Sequence, residues 1–134
     1  MKAVFADTSF WLALAASNDI HHQTASRLAV QLNRPIVTTV PVVIEVANAL
    51  CKRGAKAEAI ELRGRLAADR AARVVACTGA LVQSGWKLYS ERLDKDWSLT
   101  DCMSFSVMKQ AGLTEALTAD HHFIQAGFRA LLLE

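Results

Sequence analysis

Short apolar segments alternate with longer helical segments along this chain, and this alternation limits its fold more than any other feature. The segment IVTT at 36–39 is β-branched, and Pro41 behind it suits the first turn of a helix. Short strands separated by helices pair in parallel through crossover connections, because hairpins cannot join them. The predicted strands are 2–6, 36–39, 73–77 and 114–118, with a further edge strand at 129–132.

The predicted helices fill the intervals between these strands. Gly54 is a stop signal for the helix that starts at Pro41, and the alanine-rich stretch behind it favours another helix. We therefore expect one α/β domain spanning 1–134, with helices on both faces of a parallel sheet of four to five short strands. The helices are predicted at 9–16, 20–32, 41–53, 55–72, 78–93, 98–111 and, as a short helix or turn, 121–127.

Composition narrows the class of protein. The chain is 52% hydrophobic, above the usual range of roughly 45–50%, which suggests an apolar surface kept for a partner or a second copy. The chain has three cysteines, which is an odd number, and no two of them form a CxxC pair. We therefore expect buried free thiols in a reducing compartment at Cys51, Cys77 and Cys102. No run approaches the roughly 18 apolar residues of a membrane span, and no cleavable leader is visible. A cytoplasmic protein without membrane contact is predicted.

The net charge of +2 is too small to identify a nucleic-acid binder. Residues 52–73 carry seven basic and three acidic side chains, and this excess charge of +4 could bind phosphates. A solvated helical face explains this segment as well, and we favour that interpretation. Lys52, Arg53 and Lys56 are the candidate RNA contacts.

Four carboxylates stand at or near the starts of predicted helices. Asp7 and Asp120 each follow a strand, and Asp101 lies three residues after Ser98 in a pattern that resembles a capping box. Taken singly, each of these three is explained as a helix cap. Glu45 has no such explanation, because its helix is apolar on nearly every side, and we expect it to be half-buried or buried.

The four acids are also expected to converge. Sites in open parallel sheets form outside the carboxyl ends of the strands, and all four acids are predicted near that edge. Ionised carboxylates ~5 Å apart repel by ~3 kcal/mol per pair at an effective dielectric of ~20, so a cation or protonation must compensate them. Oxygen ligands select Mg²⁺ or Mn²⁺ over zinc or copper. A metal-dependent nuclease is the function that this pattern favours.

Four segments carrying these acids resemble, in order, the successive motifs of the PIN-domain family and, more narrowly, its VapC-type toxins. The resemblance covers essentially the whole chain and implies a three-layer α/β/α fold and a Mg²⁺- or Mn²⁺-dependent endoribonuclease. It matches Asp7, Glu45, Asp101 and Asp120 to the catalytic and metal-binding quartet, and Ser9, Asn48 and Thr118 to supporting polar positions. It also implies an RNA substrate, a homodimer and a small antitoxin that inserts into the active-site groove. The segments are AVFADTSFWLAL, TVPVVIEVANAL, WSLTDCMSF and ALTADHHFIQAGF.

Two other functions are compatible with parts of the sequence. A non-catalytic module could bind RNA or a protein through its basic and apolar surfaces. A phosphoryl-transfer domain with Asp7 as nucleophile fits less well, because DTSF lacks the DxD form. The adjacent histidine pairs His21–His22 and His121–His122 invite a catalytic interpretation, but neighbours on a helix point in different directions, so no role is predicted for them.

Overall fold

A computed structural model describes residues 2–134 of the chain. The described part contains a five-stranded sheet whose four pairings are all parallel, in the order β3-β2-β1-β4-β5. The predicted α/β class with a central parallel sheet is confirmed. The elements are β1 (Val4–Ala6), α1 (Thr8–Ala15), α2 (His22–Gln31), β2 (Ile36–Thr39), α3 (Val40–Lys52), α4 (Lys56–Ala68), β3 (Ala72–Val75), α5 (Gly79–Glu91), α6 (Leu99–Gln110), β4 (Glu115–Leu117), α7 (His121–Gln125), β5 (Arg129–Ala130) and a 3₁₀ turn (Leu131–Leu133).

The strand order puts β1 at the centre of the sheet. The chain builds outward from β1 to β2 and β3, then returns to the other side of β1 with β4 and β5. The loops that leave β1 and β4 therefore diverge at the carboxyl edge, and a crevice opens between them. Asp7 follows β1 directly, and Asp120 follows β4 by three residues.

Aromatic packing fixes α6 against α7 beside this crevice. The Phe105 ring, on α6, packs edge-on against Phe123 of α7 with centroids 4.9 Å apart, and against Trp97 at 5.0 Å. The Trp97 indole N–H donates to Gln125 Oε1 at 3.0 Å. Both phenylalanines are buried, so the two helix starts that carry Asp101 and Asp120 are held together by the core.

Three local predictions are wrong. The helix predicted to reach residue 72 ends at Ala68, because the Asp69 carboxylate accepts the Ala71 N–H and forms a turn before β3. The edge strand predicted at 129–132 is limited to Arg129–Ala130, and a 3₁₀ turn follows it.

The third correction concerns the thiols, which were all expected to be buried. Cys51 and Cys77 are exposed, and only Cys102 is buried among the three. Burial, helped by the nearby Asp101 charge, raises the pKa of the Cys102 thiol to about 11. None of the helices among residues 2–134 is long and apolar enough to cross a membrane.

Candidate active site

Asp7 is held by two hydroxyl groups at the end of β1. Thr118 Oγ1 donates to Asp7 Oδ2 at 2.9 Å, and Ser9 Oγ donates to the same oxygen at 3.2 Å. Each hydroxyl also accepts a backbone N–H from the chain after β4, of Asp120 and Ala119 respectively, at 3.0 Å. The two hydroxyl oxygens also lie 3.1 Å apart, so both hydroxyls and the Asp7 carboxylate form one hydrogen-bonded network.

The position of Asp7 is electrostatically costly. Its side chain is 4% exposed, and burial raises the pKa of the carboxyl from 3.8 to about 6. The Thr118 hydroxyl opposes this rise, while the charges of Asp101 and Asp120 add to it. Asp7 stands at the N-cap position of α1 but makes no side-chain cap hydrogen bond. The helix-cap explanation of this residue is therefore wrong.

Asp101 combines a structural role with its place in the crevice. Ser98 Oγ accepts the Asp101 backbone N–H at 3.0 Å, and Asp101 Oδ2 accepts the Ser98 backbone N–H at 3.1 Å. This is the predicted capping box, and it fixes the rotamer of the Asp101 side chain. Burial raises the pKa of Asp101, against the opposing effect of its hydrogen bonds to Ser98 and His122.

Asp120 caps α7 and shares a histidine with Asp101. Its Oδ1 accepts the His122 backbone N–H at 2.9 Å. The imidazole Nδ1 of His122 lies 3.0 Å from Asp101 Oδ2 and 3.3 Å from Asp120 Oδ1. One donor atom from each of Asp101, Asp120 and His122 lies within 4.8 Å of the others. No role is predicted for this histidine from the sequence, although an aspartate two residues before it indicates the backbone hydrogen bond that holds it beside Asp120.

Glu45 lies on the second turn of α3 and is half-buried, as its helix pattern predicted. Within residues 2–134, its carboxylate makes no hydrogen bond and no salt bridge, with the other three acids or with a basic side chain. Helix α3 packs against both α1 and α6, the helices that follow Asp7 and carry Asp101. Asn48, one turn further along, is exposed. The structure thus brings Asp7, Asp101 and Asp120 together and places Glu45 on a neighbouring helix.

The basic candidates lie away from the acids. Lys52, Arg53 and Lys56 are exposed where α3 ends and α4 begins. Seven residues of helix separate Lys52 from Glu45, which is about 10 Å along the axis. A cavity of about 420 Å³ lies on this side, between α1, α3 and α4, and none of the four acids lines it.

The other histidines and the tryptophans contribute to packing within the fold or lie on the surface. His22 Nδ1 lies 2.7 Å from the Ala13 carbonyl oxygen and joins α2 to α1, while His121 is exposed. Trp11 and Trp97 are buried in the core, whereas Trp86 is 52% exposed on α5.

Two carboxylates and an imidazole lie within 4.8 Å of one another at Asp101, Asp120 and His122, a donor set that suits a divalent cation. The buried Asp7 carboxylate is near enough for the charges of Asp101 and Asp120 to raise its pKa. A cation would also offset the cost of ionising the buried Asp7. The sequence matches the model of the PIN domain over residues 4–129. The chain belongs to the PIN-domain family.

Within that family the resemblance to VapC-type toxins is confirmed. The chain is 31% identical over 125 residues to the 23S rRNA-specific endonuclease VapC20 of Mycobacterium tuberculosis, covering 93% of this chain and 95% of that protein. The crystal structure of that VapC20, described as a toxin that cleaves the sarcin-ricin loop, matches with a TM-score of 0.86 at 30% identity, over 93% of this chain and 95% of that one. The predicted enzyme class, a nuclease, is confirmed by this relationship.

A more distant structure has the same fold. FitAcB of Neisseria gonorrhoeae matches with a TM-score of 0.66 over 95% of this chain and 94% of that one. Its sequence is 14% identical, so this likeness concerns the architecture alone.

Proposed function

We propose that this single PIN-like domain, residues 1–134, is a Mg²⁺- or Mn²⁺-dependent endoribonuclease that hydrolyses RNA phosphodiesters. The observation that carries the proposal is the convergence of Asp7, Asp101 and Asp120 at the carboxyl edge of the sheet, with Asp7 buried and its pKa raised to about 6. A fold has no structural need for a buried carboxylate that is neither a cap nor part of an ion pair. Its cost is explained if the residue serves chemistry.

The four acids would contribute unequally to binding the metal ion and the substrate. Asp7 and Asp101 are the principal ligands in this proposal, and Glu45 and Asp120 complete the site. When bound, such an ion withdraws charge from the phosphate and eases the deprotonation of water. The acids are held in place before substrate arrives, since Asp101 and Asp120 also cap α6 and α7.

Ser9 and Thr118 would keep the Asp7 carboxylate in one orientation. Both donate to Oδ2, which leaves Oδ1 as the oxygen available to a cation. Asn48, matched by the resemblance to a supporting position, is exposed one turn from Glu45 and would contact the substrate side of the site.

The substrate class is structured RNA. The relative VapC20 is a 23S rRNA-specific endonuclease, and its structure is that of a toxin cleaving the sarcin-ricin loop. A hairpin carrying that loop is therefore the first RNA to test. Lys52, Arg53 and Lys56, at the far end of α3, would contact phosphates well removed from the bond that is cut.

The biological setting belongs to the same proposal. The chain would be the toxin of a type II toxin–antitoxin pair, acting on RNA in the cytoplasm and inhibited by a small antitoxin that enters the active-site groove. A homodimer is proposed as well. Exposed apolar side chains on and just after α5 support a protein contact surface there: Trp86, Tyr89 and Leu93.

The test is cleavage of the sarcin-ricin hairpin by the free chain in Mg²⁺, Mn²⁺ or EDTA. We expect metal-dependent cutting that Asp7→Asn and Glu45→Gln each reduce by at least 10²-fold, with both variants folded. Asp96→Asn and Glu58→Gln change exposed acids outside the crevice and serve as matched controls with unaltered rates. Cutting that persists in EDTA, or in folded Asp7→Asn protein, contradicts the proposal. RNA binding without any cutting would point instead to a non-catalytic module.

A further inference from the structure

His122 lies beside the acids of the crevice, and neither the sequence-based prediction nor the proposed function gives it a role. Its Nδ1 faces two carboxylates at once, at 3.0 Å from Asp101 Oδ2 and 3.3 Å from Asp120 Oδ1. The side chain is 29% exposed, so one side of the ring remains open to solvent. A nitrogen donor therefore stands among the oxygen donors.

The fold holds the ring in this position. The His122 backbone N–H is tied to Asp120 Oδ1 at 2.9 Å, and the Asp120 backbone N–H is tied to Thr118 Oγ1 at 3.0 Å. The next residue, Phe123, is fully buried and anchors the short helix in the core. His121, by contrast, is exposed. The two adjacent histidines thus differ completely in their surroundings.

The distances fit a shared cation. Adjacent ligands around an octahedral ion with bonds of about 2.1 Å stand about 3.0 Å apart. The nitrogen–oxygen distances of 3.0 and 3.3 Å are close to this value. The shorter one is also that of an Nδ1–H hydrogen bond to Asp101, so an ion would replace the proton on Nδ1 and leave the ring protonated on Nε2. Asp101, Asp120 and His122 could therefore reach one ion by small side-chain movements, with the backbone positions already set.

We propose that His122 contributes its Nδ1 as a ligand to the divalent ion, so that the site has mixed nitrogen and oxygen donors and prefers Mn²⁺ to Mg²⁺. The inference rests on the proposed function, because the ion is the one that the acids would hold. Imidazole suits transition metals, whereas Mg²⁺ favours oxygen donors and holds its water firmly. An all-carboxylate site would discriminate less between the two ions.

The test is the binding of Mn²⁺ to the metal-free, partner-free chain, followed by pulsed electron paramagnetic resonance. We expect ¹⁴N coupling from a directly bound imidazole in the wild type and in the matched control His121→Gln, and its loss in His122→Asp. The preference for Mn²⁺ over Mg²⁺, measured by calorimetry, should fall about tenfold or more in His122→Asp and stay unchanged in His121→Gln.

Two results would overturn the inference, and they are distinguishable. Mn²⁺ that binds the wild type without ¹⁴N coupling removes His122 from the ligands but leaves the nuclease proposal standing. Absence of Mn²⁺ binding together with absence of metal-dependent cleavage overturns both. Absence of ¹⁴N coupling in the wild type overturns the inference even if a variant fails to fold, and coupling that persists in folded His122→Asp protein overturns it as well.

Discussion

Replacing Asp7 with asparagine should stabilise the metal-free protein at neutral pH, although it abolishes the proposed chemistry. The pKa of Asp7 is raised from 3.8 to about 6, and each pKa unit corresponds to about 1.4 kcal/mol. Keeping this carboxylate ionised in the folded state therefore costs about 3 kcal/mol. Asparagine removes the charge, and its Oδ1 can accept the hydrogen bonds of Ser9 and Thr118, which both reach one oxygen of Asp7.

The gain should depend on pH with a definite sign. Because the folded pKa lies above the unfolded one, the wild type binds more protons when folded, and its stability falls as pH rises from about 4 through about 6. The stability of Asp7→Asn should not fall in this pH range, because the variant has no carboxyl group to ionise at this position. With an allowance for imperfect hydrogen bonding by the amide, we expect it to be more stable by about 1–3 kcal/mol at pH 8, or about 5–10 °C in Tm, and equal to the wild type near pH 4.

The assay is urea or thermal unfolding in EDTA at both pH values, with Asp96→Asn as the control for loss of an exposed acid. Mn²⁺ at 100 times its Kd should then stabilise the wild type by about 2.7 kcal/mol, with a much smaller effect on Asp7→Asn. If Asp7→Asn is less stable than the wild type at pH 8, or if the difference does not change with pH, the account of Asp7 as an electrostatically strained residue is wrong.

Two further substitutions test the packing around the site. Gly85→Ala places a Cβ 2.5 Å from Met103 Cγ where α5 meets α6 and should lower the free energy of unfolding in urea by about 1–3 kcal/mol. Gly64→Ala lies in open space on α4 and should raise the free energy of unfolding by about 0.5–1 kcal/mol. Equal effects of the two substitutions on stability would contradict the close approach of α5 and α6. Ser98→Ala removes one half of the capping box and should cost about 1 kcal/mol. The Ser98 backbone N–H still donates to Asp101 Oδ2 in this variant, so Mn²⁺ affinity measured by calorimetry should change little, and a large loss of affinity would contradict this account of how Asp101 is held.

The architecture was predictable because each strand is a short apolar segment between clear helix signals. Ile36–Thr39 was predicted to the residue, since Pro35 precedes it and a helix with Pro41 in its first turn follows. The end of α4 was not, because alanine and arginine continue the helical pattern to residue 72. The side chain of Asp69 ends the helix by a local hydrogen bond that propensity does not contain.

The meeting of two of the acids was predictable from the topology, whereas the contacts around them were not. Parallel topology brings residues after β1 and β4 to one edge, so the meeting of Asp7 and Asp120 follows from strand order. Sequence could not show that Asp7 forgoes its cap hydrogen bond, because the same residue at the same position usually makes one. The approach of His122 to Asp101 also escaped prediction, since it depends on how the short helix α7 docks on α6.

The dual use of Asp101 has a consequence for how such a chain loses its activity during evolution. Its Oδ2 both closes the capping box of α6 and faces the crevice, so most replacements there remove a helix cap together with the chemistry. Asp7 caps nothing, and neutralising it relieves a strain. Under selection against the proposed nuclease activity, inactive descendants that change Asp7 would remain well folded, whereas those that change Asp101 would be depleted by proteolysis. Inactive descendants of this chain should therefore carry their inactivating substitution at Asp7, directly after β1.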